Sequence, residues 1–118
     1  MRRRSERGAV TAELALGLPL LLAVTVGLVW LLAAGAAQVR VVDAAREAAR
    51  VAARGDGTEA AVAVGRRIAP EGGEVSVHVS GAEVRAEARA RVDGPGGLFA
   101  FLPGVTVRSS AVAVVEED

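Results

Sequence analysis

The sequence predicts an α+β chain: a long N-terminal membrane-spanning α-helix followed by a short helix and a small three-stranded, mostly antiparallel sheet. Three observations predict it. Residues 14–37 run for 24 positions without a charge. Residues 38–55 repeat their charges every three or four positions, the period of a helix. Three later stretches alternate apolar and polar side chains with period two, the signature of half-buried strands.

The uncharged run comes first. At about 1.5 Å per residue it is long enough to cross a hydrocarbon layer of roughly 30 Å. Pro19 sits near its start, and its missing N–H leaves the Ala15 carbonyl without its usual partner, so a helix kink is expected at Pro19. Trp30 near the far end suits an interface, where an indole keeps its N–H wet. Before the run, Arg2, Arg3, Arg4 and Arg7 against Glu6 leave a net charge of plus three. Basic flanks are retained on the cytoplasmic side, so residues 1–8 read as a basic cytoplasmic leader and the later part of the chain as lying outside. A secretory signal peptide is the rival reading, with "AAGAAQ" (33–38) as a small-residue cleavage site. Against it stand an apolar region longer than the usual 7 to 15 residues or so, the interruption by Glu13, and a helical pattern that continues through the supposed cut.

That continuation is "QVRVVDAAREAARVAARG" (38–55). Asp43, Arg46, Glu47, Arg50 and Arg54 mark a wet face, and Val41, Ala44, Ala45, Ala48, Ala49, Ala52 and Ala53 form a small-residue ribbon beside it. Asp43 with Arg46 and Glu47 with Arg50 are expected i,i+3 pairs, and Gly55 is the expected stop. The ribbon reads either as plain helix propensity or as a surface for close helix packing. One helix is therefore expected over 9–54, with its membrane span at about 14–37 and a length, if unbroken, of about 69 Å.

Residues 55–118 are expected to form a small extracytoplasmic α+β domain. "TEAAVAVGRRIAP" (58–70) offers Thr58 as N-cap and Pro70 as terminator of a short helix. In "EGGEVSVHVSG" Val75, Val77 and Val79 share one face and Ser76, His78 and Ser80 the other. "AEVRAEARARVDG" also alternates, although its Ala, Glu and Arg are helix formers, and alternation is preferred here over propensity. "GPGGLFAFLPG" (94–104) reads as a loop carrying Phe99 and Phe101, and "VTVRSSAVAVV" (105–115) as the third strand.

Composition narrows the chemistry. The chain has 118 residues, 52% of them apolar but only three aromatic, so its contacts rest on Ala, Val and Leu. Without the span, a domain of about 80 residues is marginal in water and gains from a partner or bilayer. All fourteen cations are Arg, a bias that GC-rich coding explains, and the net charge is zero; no nucleic acid partner is expected. An acidic run, Glu116, Glu117 and Asp118, balances the basic N-terminal residues. There is no Cys for a disulfide framework or thiolate metal site. His78 is the single histidine, without a spaced nucleophile, carboxylate pair or phosphate loop. General acid–base work needs an oriented partner, so no enzyme, catalytic residue, cofactor or metal is expected.

Glu13 is the anomaly. A carboxylate leading a membrane span costs roughly 2.5 to 3.5 kcal/mol on insertion scales, and more by other estimates, unless something pairs with it. It stands in "RGAVTAE", where Gly8 directly precedes Ala9 and Glu13 is the fifth residue after that junction. This resembles the processing site of type IV prepilins and pseudopilins. The wider arrangement, "RGAVTAELALGLPLLL" followed by "AAREAARVAARG", resembles the TadE-like minor pilins of tight-adherence (Flp-type) pilus systems. The resemblance covers residues 7–55 well and the strands in outline. Many relatives carry an aromatic residue directly after the Glu, where this chain has Leu14.

The resemblance implies a non-enzymatic minor pilin or pseudopilin that assists assembly of a tight-adherence pilus or a related secretion apparatus. Its implied partners are the membrane bilayer, a prepilin peptidase, other pilins or pseudopilins, and pilus assembly platform proteins. It implies cleavage between Gly8 and Ala9, and a single-pass chain in the cytoplasmic membrane, N-terminus inside and C-terminal domain outside, with incorporation into a surface pilus left open. Cleavage would create an amine on Ala9 about 6 Å along the helix from Glu13. Glu13 then serves either as an assembly and docking carboxylate, neutralising a neighbour's amine, or as an interfacial charge favoured by the helix N-terminus. Two other function classes stay open: a membrane-anchored module that binds an extracellular ligand, and a small domain released by signal peptidase.

Overall fold

The computed structural model describes residues 2–94 and 104–116. It divides into two compact units, Met1–Leu32 and Ala33–Asp118. Helix α1 (Arg2–Ala53) begins several residues before the expected start at Ala9 and runs through Pro19 and through residues 33–38.

Within the first unit no described side chain is buried. Leu14, Leu16, Leu18, Leu20, Leu21 and Leu22 expose between 55% and 78% of their surface, all round the helix. A helix apolar on every face is a helix for lipid or for other apolar helices, since no single stripe can satisfy it. This is the one helix among the described residues long and apolar enough to cross a membrane.

In the second unit residues 33–53 of the same helix bury a stripe. Val41, Ala44, Ala45 and Ala48 are fully buried, and Ala37, Ala49 and Ala52 nearly so. Alanine at these positions keeps this core thin, and it packs with Gly65 and with the Val84, Ala86 and Ala88 side chains of the sheet. The helix stops at a Schellman motif. Gly55 lies in the left-handed region at φ 88°, its N–H donating to the Ala52 carbonyl at 3.1 Å, while the Asp56 N–H donates to the Val51 carbonyl at 3.4 Å.

Helix α2 (Thr58–Ile68) follows. Its N-cap is Gly57, not Thr58, and no side chain caps it. Gly57 has φ 97°, a conformation that disfavours any residue with a Cβ, so the tight reversal after Gly55 displaces Thr58 into the first helical position. The helix ends two residues before Pro70, because a residue preceding proline is pushed out of the helical region; Ala69 accordingly has ψ 155°.

Three strands, β1 (Glu74–Ser80), β2 (Glu83–Val92) and β3 (Val105–Val114), form an antiparallel sheet in the order β1-β2-β3. The central β2 alternates throughout, with Val84, Ala86, Ala88 and Ala90 buried and the Arg and Glu residues between them exposed. Pairing on both edges overrides the helix propensity of this segment. The valines of β1 share a face as expected but are not equally covered: Val75 is buried, Val77 half-buried, and Val79 is 51% exposed. Cover comes from α2, whose Gly65 sits over Val75 and whose first turn flanks Val77, leaving Val79 beyond its end.

The 33–53 part of α1 lies alongside β3 in the same direction. Gln38 Nε2 donates to the Arg108 carbonyl at 3.3 Å, and the Glu116 N–H donates to the Ala53 carbonyl at 3.0 Å. Of the two expected helix-surface pairs, Glu47–Arg50 forms at 3.6 Å. Asp43 and Arg46 form no such pair. The loop expected at 94–104, with Phe99 and Phe101, lies outside the described residues except at Gly94 and Gly104.

Candidate functional site

Two surfaces merit consideration, one in each unit. In the first unit Gly8, Ala9 and Glu13 are helical and exposed. A Cβ built on Gly8 meets nothing within 4 Å. Packing inside this chain therefore gives no reason for glycine there. Glu13 has no ion-pair partner among the described residues. Its carboxylate is presented outward one helical turn from Ala9, about 6 Å along the axis.

The other polar side chains of this stretch are handled within the helix. Thr11 Oγ1 donates to the Arg7 carbonyl and Thr25 Oγ1 to the Leu21 carbonyl, both at 2.8 Å. Bonding back by four residues leaves these hydroxyls nothing to ask of an apolar surrounding. Glu13 is thus the outstanding polar group on an apolar surface. Pro19 lies within the helix, six residues on from it.

The second surface is the outer face of the sheet. His78 is exposed there, opposite Arg85 on β2, and among the described residues it has no ion-pair partner to orient it. Among the described residues no cluster of three or more His, Cys, Asp or Glu side chains could hold a metal ion. The face is instead a lattice of charges. Arg89 is opposite Glu74 on β1 and Arg108 on β3. Glu74 accepts from Arg89 Nε at 2.7 Å and also pairs with its Nη2. Arg91 Nε donates to Asp93 at 2.9 Å.

An open groove of about 710 Å³ crosses this face, edged by Arg66 of α2 and floored by Ser76, Glu87, Arg89, Arg108 and Ser110. Neither Arg66 nor Arg108 has an ion-pair partner among the described residues. Sequence reasoning read the segment holding Arg85, Arg89 and Arg91 as an alternating strand and did not bring Arg66 or Arg108 to it. The alternating Arg at 85, 89 and 91 was the available signal, but only the register sets Arg89 against Arg108.

Comparison with known proteins bears on the first surface. Residues 8–50 match the family described as TadE-like protein. The chain is also similar to a protein of Mycobacterium tuberculosis named Apoptosis inhibitor Rv3655c, at 43% identity over 79 residues. That match takes in 67% of this chain and 57% of the relative, so the chain spans little more than half of the relative's length. No solved structure matches. The matched segment begins at Gly8 and takes in Ala9, Glu13, the apolar helix and most of the alanine ribbon, and over that segment the chain is similar to the TadE-like family.

Proposed function

We propose that this chain is a non-enzymatic minor pilin or pseudopilin, held in the cytoplasmic membrane by the apolar part of α1. In this reading it assists assembly of a tight-adherence pilus or a related secretion apparatus. A prepilin peptidase removes residues 1–8 at the Gly8–Ala9 bond, the C-terminal domain lies outside, and the mature chain meets other pilins and the assembly platform proteins. The observation that carries the reading is the start of the TadE-like match at Gly8, directly ahead of the stretch of α1 whose apolar side chains are exposed on every face.

The chemistry of the first surface supports it. Glycine at position 8 has no role in this chain's own packing, and a missing Cβ favours close approach of a protease to the backbone. The cut would place an amine on Ala9 at the same depth as Glu13. Each copy then carries a plus and a minus that are costly alone in lipid and neutral when shared with a neighbour. Glu13 sets the axial register, apolar packing supplies the affinity, and Pro19 kinks the helix between the two.

Intact mass of the chain purified from a host with its own prepilin peptidase tests the reading. A mature chain starting at Ala9 is expected. A chain keeping residues 1–8 would remove the processing claim, and a cut near residue 36 would replace the anchor with a signal peptide. Glu13→Gln separates docking from cutting, since it is expected to be processed normally while crosslinking to pilin-like partners is lost. Normal partner crosslinking by that variant would reduce Glu13 to an interfacial charge.

A further inference from the structure

We infer that the arginine groove on the outer face of the sheet receives the acidic run Glu116-Glu117-Asp118 of a second copy of this chain. The groove is built for an anion. Arg89 and Arg108 are directly opposed across β2 and β3, and like charges in that relation destabilise a sheet unless a counter-charge lies between them. Glu74 engages Arg89 from the β1 side. Among the described residues neither Arg108 nor Arg66, at the groove's other edge, has an ion-pair partner. The Ser76 and Ser110 hydroxyls, one row further along, supply neutral donors to a carboxylate. Glu87 lies in that same row and repels an anion, which confines the acidic segment to the side of Arg108.

The chain's own acidic run cannot occupy the site. β3 carries the backbone from Arg108 to Glu116 over eight residues, about 26 Å at 3.3 Å each. Glu116 is tied at the far end of the sheet through its N–H to the Ala53 carbonyl, beside the Val115 N–H bond to the Ala82 carbonyl. Two further residues add at most about 7 Å. One end of the sheet has Arg66, Arg89 and Arg108 against the single carboxylate of Glu74, whereas at the other end Glu83 is paired with Arg85 and the acidic run starts at Glu116, and a second copy brings that run into reach. The inference goes beyond the pilin reading and does not need the Gly8 cut, because a chain that keeps residues 1–8 has the same two surfaces.

The 118-residue chain has no cysteine, so disulfide crosslinking tests the contact in the intact chain. Two differently tagged copies are produced in one membrane, one with Ser110→Cys and the other with Asp118→Cys, and the isolated membranes are mildly oxidised. A mixed-tag dimer is expected. Arg108→Glu in the Ser110→Cys copy should lower its yield at least about fivefold, because attraction becomes like-charge repulsion. Arg108→Lys should leave the yield unchanged. Glu116→Lys with Glu117→Lys in the other copy should restore the yield lost to Arg108→Glu, and recovery by charge exchange also shows that the variant is folded. No mixed dimer with native charges, or a dimer indifferent to Arg108→Glu, would overturn the inference. A loss that the lysines do not restore would overturn it too and give the groove to a different acidic partner.

Discussion

Residues 5–32 and residues 33–53 belong to one helix, are both rich in apolar side chains, and fare oppositely in the fold. Leu16 and Leu32 expose 78% and 74% of their surface, while Ala44, Ala45 and Ala48 expose none. In the first stretch large residues project on every side and polar groups are satisfied by the helix itself, as with Thr11 and Thr25. In the second, small residues fill one stripe, charges fill the other, and the stripe lies under a sheet. Apolarity thus has two meanings along α1: a surface offered to lipid or neighbouring chains, and a surface already occupied. Side-chain size and the periodicity of the charges distinguish them.

The largest effect should come from a charge placed in the occupied stripe. Ala48→Glu buries an unpaired carboxylate against Gly65, at a cost of at least about 3 kcal/mol, a large share of the stability of so small a domain. The Ala33–Asp118 unit should lose its cooperative urea transition in the detergent-solubilised chain, whereas Arg46→Glu, two residues away on the wet face, should keep it. An intact transition in Ala48→Glu would mean that the stripe is not a core.

Glycine positions sharpen the contrast at intermediate size. A Cβ on Gly65 would lie 2.8 Å from Val75 Cγ1 and 3.3 Å from the Ala48 Cβ. Gly65→Val should destabilise the domain by about 1 to 3 kcal/mol through overpacking. Gly17 has nothing within 4 Å, and Gly17→Ala should leave the same transition unmoved while favouring the helix slightly. Equal shifts from the two would erase the distinction between the regions. The smallest effect belongs to the wet face: Glu47→Ala breaks one exposed pair and should cost no more than about 0.5 kcal/mol in the same measurement.

Much of this architecture is legible in the residues. The membrane-length helix, the Gly55 stop and all three strands follow from charge spacing and period, and β2 shows alternation prevailing over an Ala-, Glu- and Arg-rich composition. What was not legible depends on who covers whom. Nothing in "VSVHV" says that α2 protects Val75 and leaves Val79 bare. Thr58 looks like a cap until the reversal at Gly55 and Gly57 takes the position from it. The groove needed the register of β2 on β3 and the return of α2 to bring both Arg66 and Arg108 into its lining, sequence separations that no local pattern spans. At the proposed processing surface the opposite holds. Gly8, Ala9 and Glu13 are conspicuous in sequence, whereas the described residues give Gly8 no packing role and Glu13 no ion-pair partner.

Three single-cysteine variants of this cysteine-free chain, Leu21→Cys, Ala45→Cys and Arg46→Cys, test most directly the claim that one helix has two surroundings. Each is reacted with a charged methanethiosulfonate reagent in membranes opened to both sides, so that topology does not enter. Arg46→Cys should react at once, Ala45→Cys only after urea unfolds the domain, and Leu21→Cys only after detergent removes the bilayer, even in urea. Reaction of Leu21→Cys as fast as Arg46→Cys in intact membranes would contradict the account, because the apolar part of α1 would then stand in water.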